Sequence, residues 1–255
     1  MEDKYSDKKN KVLVVIGILY VAAIVGVNIY HYKSMTENYN YELSAIDGIV
    51  SFLIDNRNLI GTETMLLSFL LFYVITPNLN NEYLCLYKNR QIIYHKQIKQ
   101  AFLINCIGTL ANAVISFTTM LVFSRRLLNW KSVDSIYFRI FKENFQPDFL
   151  RLELYMLLSV AASIVIVQIY LMFYLLIYWI IKSRNFTFIV GIVMSWSLGR
   201  PIVPAKYKLT NNMYDAVYLL MREPVRILNG LLKYGTVALI IYLCTRIVLR
   251  KRDLL

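Results

Sequence analysis

The stretch AFLINCIGTLANAVISFTTMLVF, residues 101–123, decides how this chain folds. It contains no charged residue, and at 1.5 Å per residue its helix is long enough to cross a hydrocarbon core of about 30 Å. Its polar side chains fall in register. Asn105, Thr109, Asn112 and Ser116 follow one another at intervals of four, three and four, which places them on one face of a helix. A polar stripe in a membrane helix must face protein or water, because lipid offers no hydrogen-bond partner. Two readings are open for this face: the lining of a conduit, or hydrogen bonding between packed helices.

Outward from this run the pattern repeats, with apolar runs at 12–30, 59–76, 152–181, 186–199 and 234–249. The expected architecture is an all-α integral membrane protein of about six transmembrane helices, forming one transmembrane domain over residues 1–255. The run at 152–181 exceeds what a bilayer needs and should tilt or protrude. Lys182 and Arg184 then mark a tight turn that sends the next helix back antiparallel. Along that helix Gly191, Ser195 and Gly199 recur every four residues, a small-residue ridge suited to close packing within the chain or between subunits. The helix is short for a crossing and is stopped by Pro201 and Pro204, after which a broken, partly apolar segment leads to the sixth run.

Composition agrees with a bilayer setting. Hydrophobic residues make up 58% of the 255 and charged residues 17%, against about a quarter charged in soluble domains. The net charge of +12 does not indicate nucleic acid, because the basic residues gather between apolar runs, where membrane orientation accounts for them. The first run follows a lysine-rich start, MEDKYSDKKNK. It is longer than the apolar part of a signal peptide, and it continues into Asn28-Ile29-Tyr30-His31-Tyr32, suited to a membrane interface. We therefore expect an uncleaved first helix with a cytoplasmic N-terminus. Six crossings return the C-terminus to the same side. In that arrangement Lys and Arg are about twice as dense in the inner segments (1–11, 78–100, 182–185, 250–255) as in the outer ones. The outer loop at 124–151 runs against the trend, with Arg125 and Arg126 at a helix end.

Reactive chemistry is sparse. His31 and His95 lack metal-spaced partners, and Cys85, Cys106 and Cys244 are too scattered for a zinc site or a disulfide framework. The sequence has no H-E-x-x-H, no G-x-S-x-G and no phosphate-binding G-x-x-x-x-G-K-[ST]. Glu63 and Glu153 lie near helix ends, not at mid-membrane. The expectation is a chain that is not itself an enzyme and binds no cofactor or metal.

Between the second and third runs stands Glu82-Tyr83-Leu84-Cys85-Leu86-Tyr87-Lys88-Asn89-Arg90, then Ile93-Tyr94-His95-Lys96, patterned as a short amphipathic cytoplasmic helix over 78–100. The chain closes on Arg250-Lys251-Arg252-Asp253-Leu254-Leu255. Both stretches, and the six-run layout, resemble the ABC-2-type permeases, the transmembrane subunits of type V ABC exporters. The resemblance implies that Glu82, Tyr83, Tyr87, Arg90, Tyr94 and Lys96 belong to a coupling segment docking on a separate dimeric ATPase, which would hold the ATP and magnesium. It further implies a bacterial plasma-membrane protein with both termini cytoplasmic, working beside a second permease copy or homologue. The segment at 200–232 would correspond to re-entrant outer helices. Here it departs from the family's apolar hairpin, being strongly basic (Arg200, Lys206, Lys208, Arg222, Arg226). Small permeases of this kind suggest amphipathic peptides as cargo, as in phenol-soluble-modulin export or bacteriocin immunity. The rival expectation is a non-transporting membrane protein, such as a peptide-immunity or assembly factor.

Overall fold

A computed structural model describes residues 2–39, 43–45, 87–125, 149–199 and 225–251. All the regular structure among them is helical: α1 (Glu2–Tyr39), α2 (Tyr87–Ser124), α3 (Phe149–Ile181), α4 (Arg184–Gly199) and α5 (Val225–Lys251). Three helices contain segments long and apolar enough to cross a membrane, namely Val14–Ser34, Arg90–Ser124 and Ser163–Ile181. The apolar stretch of α4, Arg184–Val193, is shorter. The expected second run at 59–76 lies outside the described residues, as does 200–224 of the expected re-entrant segment; the rest of that segment, 225–232, is the start of α5 and runs unbroken into the sixth run.

The helices exceed their apolar runs because a helix does not have to stop where the bilayer does. α1 and α2 have 38 residues each, a rise of about 57 Å. The expectation of a separate short helix over 78–100 needs correction for its described part. Residues 87–100 are the first turns of α2 itself, continuous with the run at 101–123. No Pro or Gly interrupts 87–107, and most polar residues there, the lysines, Arg90 and the glutamines, are good helix formers.

Two helix ends are closed by basic residues in the left-handed region, Arg125 (φ 52) after α2 and Lys182 (φ 60) after α3. Each backbone N–H donates to the carbonyl four residues back, Leu121 and Tyr178, at 3.0 Å. This geometry is usually given to glycine, but a cation there offsets part of the strain by facing the negative helix end. Ser183 then caps α4: its Oγ accepts from the Phe186 N–H at 3.4 Å, while its carbonyl accepts from the Thr187 hydroxyl at 2.8 Å. Lys182 and Ser183 thus suffice to turn the chain, and α4 folds back on α3.

Contacts fix the helix directions. α1 pairs with α2 at Tyr20–Gly108, Asn28–Ser116 and Tyr32–Phe123, so the two run parallel. α3 pairs Trp179 with Gln97 and Gln168 with Asn105, so it runs antiparallel to α2. α3 is the hub, packed on α2, α4 and α5. Around it lies the main core, built from Tyr94 and Ala101 of α2, one face of α3 from Val167 through Tyr170, Leu171, Tyr174 and Leu175 to Tyr178 and Trp179, and Leu249 of α5. Tyr242 of α5 stacks on Tyr94 with ring centres 6.3 Å apart. One end of the bundle therefore collects the first turns of α2, the α3–α4 turn, the last turns of α5 and, because α1 is parallel to α2, the N-terminal turns of α1.

Candidate functional site

The feature that sets this bundle apart is a seam of buried polar side chains along one face of α2. From its first turns to its last, Arg90, Gln97, Asn105, Thr109, Asn112, Ser116 and Thr119 are all buried. The opposite face is apolar and open: Ile107, Leu110 and Val114 are each more than half exposed. A water-soluble helix has the reverse arrangement, so this distribution suits a surrounding of lipid.

Three of these groups, Gln97, Asn105 and Ser116, bond to another helix, and Thr109 and Asn112 bond to neighbours along α2. The Asn105 amide donates to the Ile164 carbonyl at 2.8 Å and to Gln168 Oε1 at 3.3 Å, joining α2 to α3, while its own oxygen accepts from the Thr109 hydroxyl at 3.2 Å. Further along, Asn28 of α1 donates to Ser116 Oγ at 3.1 Å, and Ser116 donates to Asn112 Oδ1 at 3.4 Å. Asn28 also donates to the Ile24 carbonyl of its own helix at 2.8 Å. Nearby, the Tyr20 hydroxyl donates to the Gly108 carbonyl at 2.9 Å. Towards the start of α2, the Trp179 indole N–H donates to Gln97 Oε1 at 2.9 Å. Two groups in the middle of the seam are left over, one acceptor and one donor: Asn28 Oδ1 and Asn112 Nδ2 are buried without a hydrogen-bond partner. Such orphans are uncommon in folded chains.

The sequence stripe Asn105, Thr109, Asn112 and Ser116 is therefore brought together, enclosed and hydrogen-bonded within one chain. Sequence reasoning missed its partners Tyr20, Asn28 and Gln168, and its continuation in Gln97. The signal was present: Asn28 and Gln168 are isolated amides inside apolar runs, and a group that costly in lipid is retained where it is paired.

The six coupling-segment residues part company. Glu82 and Tyr83 lie outside the described residues, and Tyr87 opens α2. Arg90 and Tyr94 turn inward and are buried, Tyr94 inside the main core. Lys96 faces out, with Ile92, His95 and Lys99 around it. Of the small-residue ridge, Gly191 is buried, and its carbonyl accepts the Tyr170 hydroxyl of α3. At that position the ridge packs inside the chain. Ser195 and Gly199 continue α4 beyond it. Among the described residues no group of three or more His, Cys, Asp or Glu could hold a metal ion. Cys106 and Cys244 are free thiols. No family model, curated protein or solved structure matches the chain.

Proposed function

We propose that the chain is the transmembrane permease subunit of an ATP-driven exporter of amphipathic or hydrophobic cargo, peptides among them. It would span the bacterial plasma membrane six times and work with a separate ATPase dimer and a second permease copy or homologue. The observation behind this reading is the continuity of α2. Its exposed basic start, around Lys96 and Lys99, and its buried polar seam, from Asn105 to Thr119, belong to one unbroken helix. Force applied by a partner at the start would be delivered along a rigid rod to the seam. The seam is held by neutral hydrogen bonds, each worth about 0.6 kcal/mol in a membrane, and it already contains an unused donor and acceptor at Asn112 and Asn28. Such an interface can exchange partners as helices shift.

The basic end supports an orientation with both termini inside. Lys96, Lys99, Lys182 and Arg184 gather there, whereas α2 and α5 contain no carboxylate at all. A second reading, a membrane protein that binds a partner and moves nothing, is favoured by the closed state of the seam, which is fully buried within one chain.

Purification from the native membrane in mild detergent separates the two. The permease reading expects an ATPase to co-elute, with Glu82→Ala or Lys96→Glu lowering its retention at least about tenfold, a loss of roughly 1.4 kcal/mol of binding. Arg90→Ala is the wrong probe, because Arg90 is packed inside the bundle. Absence of any ATPase under mild conditions would leave the non-transporting reading.

A further inference from the structure

Outside the seam, the chain has an open groove of about 620 Å³ on the outer face of α2's first turns, lined by Gln91, Ile92, His95, Lys96, Lys99 and Gln100. Lys96 and Lys99 lie one turn apart and are both exposed, so their ammonium groups address the same space. His95 is fixed on the groove wall. Its Nδ1–H donates to the Gln91 carbonyl at 2.7 Å, and its Nε2 faces the Tyr242 hydroxyl at 3.5 Å. Among the described residues no acidic side chain lines the groove, and none occurs anywhere in α2 or α5. One turn beyond Lys99 the same side of the helix becomes apolar and outward-facing, at Phe102, Leu103 and Ile107.

A site with two cations and amide donors at one end and a bare aliphatic track at the other is itself amphipathic. We propose that this groove binds the phosphate headgroup of an anionic phospholipid, with acyl chains laid along Phe102, Leu103 and Ile107. Lysine suits this role as a flexible point charge for phosphate. Its methylene stem can lie along the apolar helix while the ammonium reaches the headgroup layer. Gln91 and Gln100 supply neutral donors for the remaining phosphate and glycerol oxygens. A soluble anion would use only the charged end, and the apolar continuation selects a lipid. The site stands whether or not the chain has an ATPase partner, and at Lys96 it competes with the partner contact proposed above.

The test uses the full chain in nanodiscs of phosphatidylcholine containing increasing fractions of phosphatidylglycerol, with lipid retained after extraction counted by native mass spectrometry. Wild type retains phosphatidylglycerol over phosphatidylcholine. Lys96→Gln and Lys99→Gln each lower that preference about fivefold, whereas the Lys96→Arg/Lys99→Arg pair, which keeps the charge and checks folding, retains it. Arg250→Gln, at an exposed position near the same end, serves as the control and leaves the preference unchanged. An equal loss in Arg250→Gln would mean diffuse attraction to a basic surface and overturn the site. Displacement of the lipid by millimolar inorganic phosphate would show that the groove takes a free anion, and overturn it too. If lipid retention survives both lysine substitutions while ATPase retention falls, the lysines are a protein contact and the lipid assignment is wrong.

Discussion

At Asn28 a single amide couples α1 to α2, donating to Ser116 Oγ and to its own Ile24 carbonyl. Replacing it with leucine removes the link but also removes the orphaned Oδ1. The expected loss is therefore small, about 0.5–1 kcal/mol, at the level typical of membrane hydrogen bonds. Asn105→Leu removes two interhelical contacts, to Ile164 and Gln168, and strands the Gln168 oxygen. It should cost about 1–2 kcal/mol. Unfolding of each variant in bicelles measures both, and an Asn105 substitution milder than the Asn28 one would contradict the ranking. A Gln97/Trp179 double-mutant cycle should give a coupling of about 0.6–1.7 kcal/mol. Little of this pairing was legible beforehand. Spacing alone put Asn105, Thr109, Asn112 and Ser116 on one face. Which helix would meet that face depends on packing, and no local pattern in α1 or α3 encodes it beyond the lone amides Asn28 and Gln168.

At the scale of the element, the turn between α3 and α4 depends on a lysine in a conformation that suits glycine. Lys182→Val places a β-branched side chain at φ 60 and should destabilise by about 1–2 kcal/mol, whereas Lys182→Gly should be neutral or slightly stabilising, the released strain offsetting the lost helix-end charge. Thermal unfolding in detergent distinguishes them, and equal midpoints would remove the strain argument. The two faces of α2 make a second contrast. Leu110→Asp puts a charge on the outward face and should cost about 2.5–3.5 kcal/mol in a translocon insertion assay, while Asn112→Leu should favour insertion. The run at 101–123 and the turn at Lys182 were both readable from sequence, the first from hydropathy and length, the second from the shortness of the polar gap. The unbroken start of α2 was not. Lys96, Lys99 and His95 end the apolar run in any average over residues, yet on one continuous helix they share the outer face, while Arg90, Tyr94 and Gln97 fill the inner one.

For the whole molecule, the account rests on a bundle standing across a bilayer with its basic end in the cytoplasm. Hydropathy anticipated membrane helices, and α1 pairs in parallel with α2, while the run at 59–76 between them lies outside the described residues. Single cysteines test this directly. In a background lacking Cys85, Cys106 and Cys244, the exposed positions Lys11 and Lys182 mark the basic end, and the exposed Lys33 and Arg125 mark the other. Each is replaced in turn by cysteine and challenged with a membrane-impermeant maleimide in intact cells and in inverted vesicles. The account predicts that the Lys33 and Arg125 positions label only in intact cells and the Lys11 and Lys182 positions only in inverted vesicles. Labelling of the Lys11 and Lys33 positions from the same side would mean that α1 does not cross the membrane, and would contradict the account.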